Sequence, residues 1–247
     1  MIYYFISNLY YFVGTKSLPD FLRNVLRPAI IPPLQDILRE AVRLTSNGVL
    51  ITNITVSTRR VILGLVCGVP VGFLIGFIMG WITKIEQYIE TYYAILRFIP
   101  PLSFVTLFIL WFGIGEFSKV LLITYSVVMV MILPIWHGIK EIPSHYLLAG
   151  LTLGLNRKLL IRRIVLPSIL PNFFVGLRYA VMVAWLVLVA SELIAAKTGI
   201  GYMILAAQRL FNTPVVMLGI TILGVLGLTF DYCVRLASSY FTRWMKR

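Results

Sequence analysis

Arg59, Arg60, Arg178, Glu192 and Asp231 are ionisable side chains that stand inside long apolar runs. If those runs cross a membrane, each such group is costly to bury and marks a functional position, unless it reaches the interface along its own stem. Arg59 and Arg60 lie near one end of their run. They suit either snorkelling or attraction of an anion into a mouth. Glu192 suits a buried ion pair or a place on a solute path. Pro100, Pro101 and Ser103, in "LRFIPPLSF", suit a broken helix, because two prolines remove two donors and disfavour helix at Ile99. Such breaks are tolerated in membranes where they line a cavity or lie within protein, and a simple helix start is the alternative. His137 and His145 stand eight apart, and no metal site is predicted. No Ser/His/Asp arrangement, no H-E-x-x-H and no G-x-x-x-x-G-K-[ST] phosphate loop occurs in the sequence. The chain is therefore not expected to be an enzyme, nor to bind ATP or another cofactor itself.

The elements that must position these residues are set by composition. Of 247 residues, 60% are hydrophobic and 13% charged, against about half and about a quarter in soluble domains. The excess falls in blocks of about 20 residues or more, enough for a helix to span hydrocarbon. Strands of a barrel would alternate in segments of about ten, a pattern the sequence lacks. The blocks lie near 49–82, 98–114, 117–139, 168–196 and 215–237. A shorter block, "MIYYFISNLYYFVG", lacks the basic leader and cleavage site of a signal peptide. An all-α, polytopic helical bundle of about six spans follows, the first short or atypical, in one domain over residues 1–247. "IIPPLQDILREAVRL" has the spacing of an amphipathic surface helix. The formal net charge is +13. Its Lys and Arg sit mostly between blocks, which points to lipid and to membrane orientation rather than to nucleic acid. Cys67 and Cys233 fall in separate blocks and read as small buried residues. Asn53 heads a chance "NIT" glycosylation match.

Orientation follows the positive residues. Lys140, Arg157, Lys158, Arg162 and Arg163 precede one block, and Arg243, Lys246 and Arg247 follow the last. Two spans separate the groups, so both face one side, the cytoplasm. The loop between them carries only Lys197 and Arg209. Parity puts residues 15–46 outside, although Lys16, Arg23, Arg27, Arg39 and Arg43 lie there.

Two motifs remain. Gly64, Gly68, Gly72, Gly76 and Gly80 recur every fourth residue and form one smooth helical stripe. It serves close packing of another helix, or a surface that slides in a conformational cycle. Pro70 lies within it and suits a kink. Then comes "AGLTLGLNRKLLIRRIVLP", residues 149–167. Pro143 suits a first helical turn, Gly154 a left-handed stop, and Asn156 the cap of a second helix. Two short helices at a bend are predicted on the cytoplasmic surface. Their apolar residues are too many for a solvated loop and mark a protein partner.

This stretch resembles the cytoplasmic-loop signature of permease subunits of type I ATP-binding-cassette importers, an E-A-A triplet, a Gly, then I-x-L-P. The chain supplies Ala149, Gly154, Ile164, Leu166 and Pro167, and departs at Leu148 and Gly150. "FIPPLSFVTLFILWFGIGEFSK", "VASELIAAKTGIGYMI" and "STRRVILGLVCGVPVGFLIG" are similar to the nitrate, sulfonate and taurine branch. The resemblance implies a homodimer of permeases in the bacterial inner membrane, two separate ATPase subunits holding ATP and Mg, and an extracytoplasmic substrate-binding protein. It implies a coupling loop at about 140–167, including Ala149, Gly150, Gly154, Arg157, Ile164, Leu166 and Pro167, and import of a small anion or sulfonate-like solute by alternating access. An integral membrane scaffold without transport is the alternative.

Overall fold

The computed structural model describes residues 32–243, so the short first block and the tail residues Lys246 and Arg247 lie outside them. Among the described residues all regular structure is helical. In chain order the helices are α1 (Leu34–Ser46), α2 (Val49–Trp81), α3 (Thr83–Phe98), a 3-10 turn (Pro101–Ser103) and α4 (Phe104–Phe112). Then come α5 (Glu116–Lys140), α6 (Ser144–Thr152), α7 (Arg157–Leu160), a π turn (Ile161–Val165), α8 (Leu166–Ala195), α9 (Ile200–Arg209) and α10 (Thr213–Phe241). Four continuous helices are long and apolar enough to cross a membrane: Val49–Trp81, Glu116–Lys140, Arg157–Ile194 and Thr213–Phe241. A fifth crossing is available to α3 and the Pro101–Phe112 segment, bent by 76° at the proline pair.

Two compact units divide the chain: residues 1–58 with 192–226, and residues 59–191 with 227–247. The first has a core of Ile37, Leu50, Ile200, Met203, Ala207, Val215 and Leu218. α1 thus packs its apolar stripe on protein through Ile37. α9 lies where the sequence reading expected a polar loop. Its signal was legible: Ile200, Met203 and Ala207, at spacings of three and four, are the buried face.

In the second unit the five stripe glycines of α2 lie against α5. A Cβ added at Gly64 would collide with the Ile123 side chain; at Gly68, Gly72 and Gly80 it would stand 2.7, 2.6 and 2.8 Å from Val127, Met131 and Ile139. Gly76 faces Ile135 and the Ile132 carbonyl. The partners also step by four, so a ridge of α5 side chains fills the groove the glycines leave. Both series ascend together, so α2 and α5 run in the same direction. The chain must therefore return between them, and α3 with α4 is the stretch that does so. This corrects the expected block at 98–114. α3 escaped notice because Lys84, Glu86 and Glu90 dilute it, yet Glu86 accepts from the Trp136 indole at 2.8 Å and pairs with Lys140 at 2.5 Å.

Two other expectations are corrected. Cys67 and Cys233 are exposed, because on a lipid-facing helix apolar side chains need no burial in protein. The second elbow helix is not separate: residues 157–194 form one continuous helix. Pro167 offers no N–H to the carbonyl four residues back, and the π turn immediately before it widens the helix where that bond is missing.

Candidate functional site

The proline pair breaks α3 from α4 as backbone chemistry requires. Ile99 is extended (φ −78°, ψ 118°), as a residue before proline prefers, and Pro100 follows at φ −58°, ψ 130°. Beside the break lies a cavity of about 520 Å³ walled in part by Pro100, Pro101, Met129 and Tyr179. The Tyr93 hydroxyl donates to the Met129 carbonyl at 2.9 Å and ties α3 to α5. Arg97 also lines the cavity, its guanidinium carbon 5.9 Å from the Tyr93 ring centre and 5.3 Å from that of Phe98. Ser103 is exposed and outside the lining.

The neighbouring arginines part company, because a helix turns about 100° per residue. Arg59 is exposed. Arg60 is 1% exposed and holds Glu116 with two parallel bonds, Nε to Oε2 at 2.6 Å and Nη2 to Oε1 at 2.5 Å. Lys119 reaches the same carboxylate at 3.2 Å. The sequence reading missed Glu116, which opens α5 after the Gly113 and Gly115 turn.

Glu192 is fully buried in the first unit, whereas the proline break and Arg60 belong to the second. Glu192 accepts from the Ser57 hydroxyl at 2.7 Å and the Gly201 N–H at 2.8 Å. Ser57 Oγ accepts from Ile200 N–H at 2.9 Å, and Asn53 Oδ1 from Gly199 N–H at 2.7 Å. Three consecutive amides opening α9 are thus satisfied by side chains, one of them the carboxyl group of Glu192. Asn53 is buried in this network, which leaves no room for a glycan. Arg178 and Asp231, distant in sequence, pair at 2.7 Å, and Arg235 joins at 2.8 Å.

The elbow is built tightly. Gly154 has φ +78°, Leu155 N–H bonds to the Gly150 carbonyl at 3.0 Å and Gly154 N–H to that of Leu151 at 2.9 Å. This pair of bonds is the Schellman stop, which satisfies the last carbonyls of α6. Asn156 accepts from Leu159 N–H at 2.9 Å and starts α7. Gly150 is buried, and a Cβ there would stand 2.8 Å from Ile164 and 2.9 Å from Leu160. Gly150 is therefore where α6 lies against the helix that follows. Ile164, Leu166 and Pro167 are half-buried, while Ala149 and Arg157 are exposed. Tyr146, Leu148, Leu151 and Leu153 are exposed as well.

The family model "Binding-protein-dependent transport system inner membrane component" matches residues 68–247. The chain belongs to this family. The permease is 33% identical to the putative aliphatic sulfonates transport permease SsuC of Escherichia coli, over 89% of this chain and 83% of that protein. It is 29% identical to the taurine transport permease TauC of the same organism, over 90% and 82%. An inward-facing MetNI methionine ABC transporter structure shares the fold, with a TM-score of 0.60 at 17% identity, covering 85% of this permease and 97% of that chain. The chain is thus a multi-pass inner-membrane permease subunit of the type I importer kind.

Proposed function

We propose that this permease forms, as a homodimer in the bacterial inner membrane, the path by which a small sulfonate-like organic anion enters the cell. An extracytoplasmic binding protein delivers the solute. Two separate ATPase subunits, which hold ATP and Mg, grip the 143–167 elbows from the cytoplasm, on the side where the C-terminus lies. Closure of the ATPases drives the elbows and rocks the helices between inward and outward access; hydrolysis resets them. Because α7 continues into α8 as one helix over residues 157–194, force applied at the elbow has a rigid lever into the membrane. The ATPase coupling role rests on one observation above all: a glycine-stopped short helix that turns Tyr146, Leu148, Leu151 and Leu153 outward. Family membership and the sulfonate and taurine names of the relatives support the solute class.

The test uses the complete assembly in proteoliposomes. Nothing lies within 4 Å of a Cβ added at Gly154, so substitution there acts through φ alone. Gly154→Val is expected to cost about 1–2 kcal/mol and to reduce ATP hydrolysis stimulated by the binding protein. Gly154→Asn, which tolerates a left-handed conformation, retains it. Equal stimulation in the parent and both variants would refute the coupling role.

A further inference from the structure

We infer that the cavity beside the proline break is the resting site of the solute in this permease, and that it selects a sulfonate carrying an apolar tail over a small inorganic anion. Arg97 takes the sulfonate; the walls take the tail. This rests on the transport reading above. Arg97 is the sole charged residue lining the cavity. Among the described residues it forms no ion pair, whereas Arg60, Lys119, Lys140 and Arg178 each hold a carboxylate. Its guanidinium carbon stands 5.9 Å from the Tyr93 ring centre and 5.3 Å from that of Phe98. A planar guanidinium without a carboxylate partner offers N–H donors that suit the oxygens of an oxyanion. The remaining walls include Met129, Leu133, Val183, Leu186 and Val187. A space of about 520 Å³ has the size of a small-molecule site. Nitrate would meet Arg97 and leave the apolar walls wet. An alkanesulfonate of several carbons satisfies both.

Binding is measured by calorimetry on the permease–ATPase complex in phosphatidylcholine nanodiscs, with methanesulfonate, butanesulfonate, hexanesulfonate and nitrate as probes. Affinity is expected to rise about threefold to fourfold per methylene, with nitrate weakest. Arg97→Gln loses about tenfold or more for every sulfonate, and Arg97→Lys falls between. Val183→Phe, which shortens the cavity, weakens hexanesulfonate and spares methanesulfonate. If Arg97→Gln does not fold, the chain-length series and Val183→Phe decide the matter. The inference is overturned if nitrate binds as well as hexanesulfonate, if no probe binds the parent, or if the folded variants match it. An anionic lipid shares the same chemistry, so the titration is repeated with phosphatidylglycerol in the disc. Loss of hexanesulfonate binding there assigns the cavity to lipid and overturns the inference equally. ATP-dependent uptake and binding-protein-stimulated hydrolysis, measured in parallel, report the transport reading separately.

Discussion

The ionisable side chains within the long helices of this permease divide by what they touch. Arg60 and Glu116 form a two-pronged pair at the start of α5, and Arg178 joins Asp231 between α8 and α10. Glu192 instead receives Ser57 and an amide of α9. The turn before α9 needs a residue that can hold φ +124° directly against a carboxylate, which is Gly199. A Cβ there would overlap the Glu192 carboxylate. Gly199→Ala is therefore expected to cost about 1–3 kcal/mol from backbone strain, before any displacement of Glu192. Thermal unfolding in detergent measures this. A midpoint equal to the parent's would mean that the network adapts freely.

At the scale of elements, the glycine stripe decides how closely α2 and α5 approach. In lipid, helices associate through packing and hydrogen bonds, since tails are as apolar as leucine. The five glycines supply the groove and Ile123, Val127, Met131, Ile135 and Ile139 the ridge. A methyl at Gly76 would lie 2.6 Å from the Ile132 carbonyl oxygen, whereas one at Gly224 in α10 would have nothing within 4 Å. Gly76→Ala is expected to cost about 1–3 kcal/mol through overpacking. Gly224→Ala, in the same kind of apolar helix, is expected to match or exceed the parent, because alanine is the better helix former. Thermal midpoints of the two variants, compared side by side, check the pair of expectations. Equal losses would show that the stripe is not a close interface.

For the whole molecule, the transport reading requires that surfaces exposed in one chain be covered in the assembly. Leu153, 81% exposed, and Leu148, 60% exposed, project from the elbow. Leu153→Glu leaves the permease fold intact, since no core packing is lost, but places a charge where an apolar interface is proposed. It is expected to lower recovery of the ATPase subunits in affinity purification about tenfold or more, with the permease's own thermal midpoint unchanged. Normal recovery would remove Leu153 from the docking surface. Neutralising Arg59, exposed near the start of the second unit, tests steering: Arg59→Gln should flatten the dependence of uptake on external salt. Arg60 is unsuited to that role, since it is buried against Glu116.

Period and composition decided a good deal. Long apolar runs placed α2, α5, α8 and α10 within a few residues of their ends, because a span in hydrocarbon must be helical and about 20 residues long. Local backbone chemistry was equally legible: Gly154 with its left-handed turn, Asn156 as a cap, and the break at Pro100 and Pro101 depend on neighbours only a few residues away. The helices α3 and α9 were harder, since their charges and short length hid a helical stripe whose meaning depends on what it packs against. Tertiary structure alone determined the pairings. No spacing rule joins Arg60 to Glu116, Arg178 to Asp231, or Glu192 to Ser57, for each pair is separated by more than 50 residues and meets only through packing of whole helices. It likewise decided that Arg59 faces outward while Arg60 is buried, and that Arg97, an ordinary helix-end cation in the sequence, stands over two aromatic rings at the wall of a cavity.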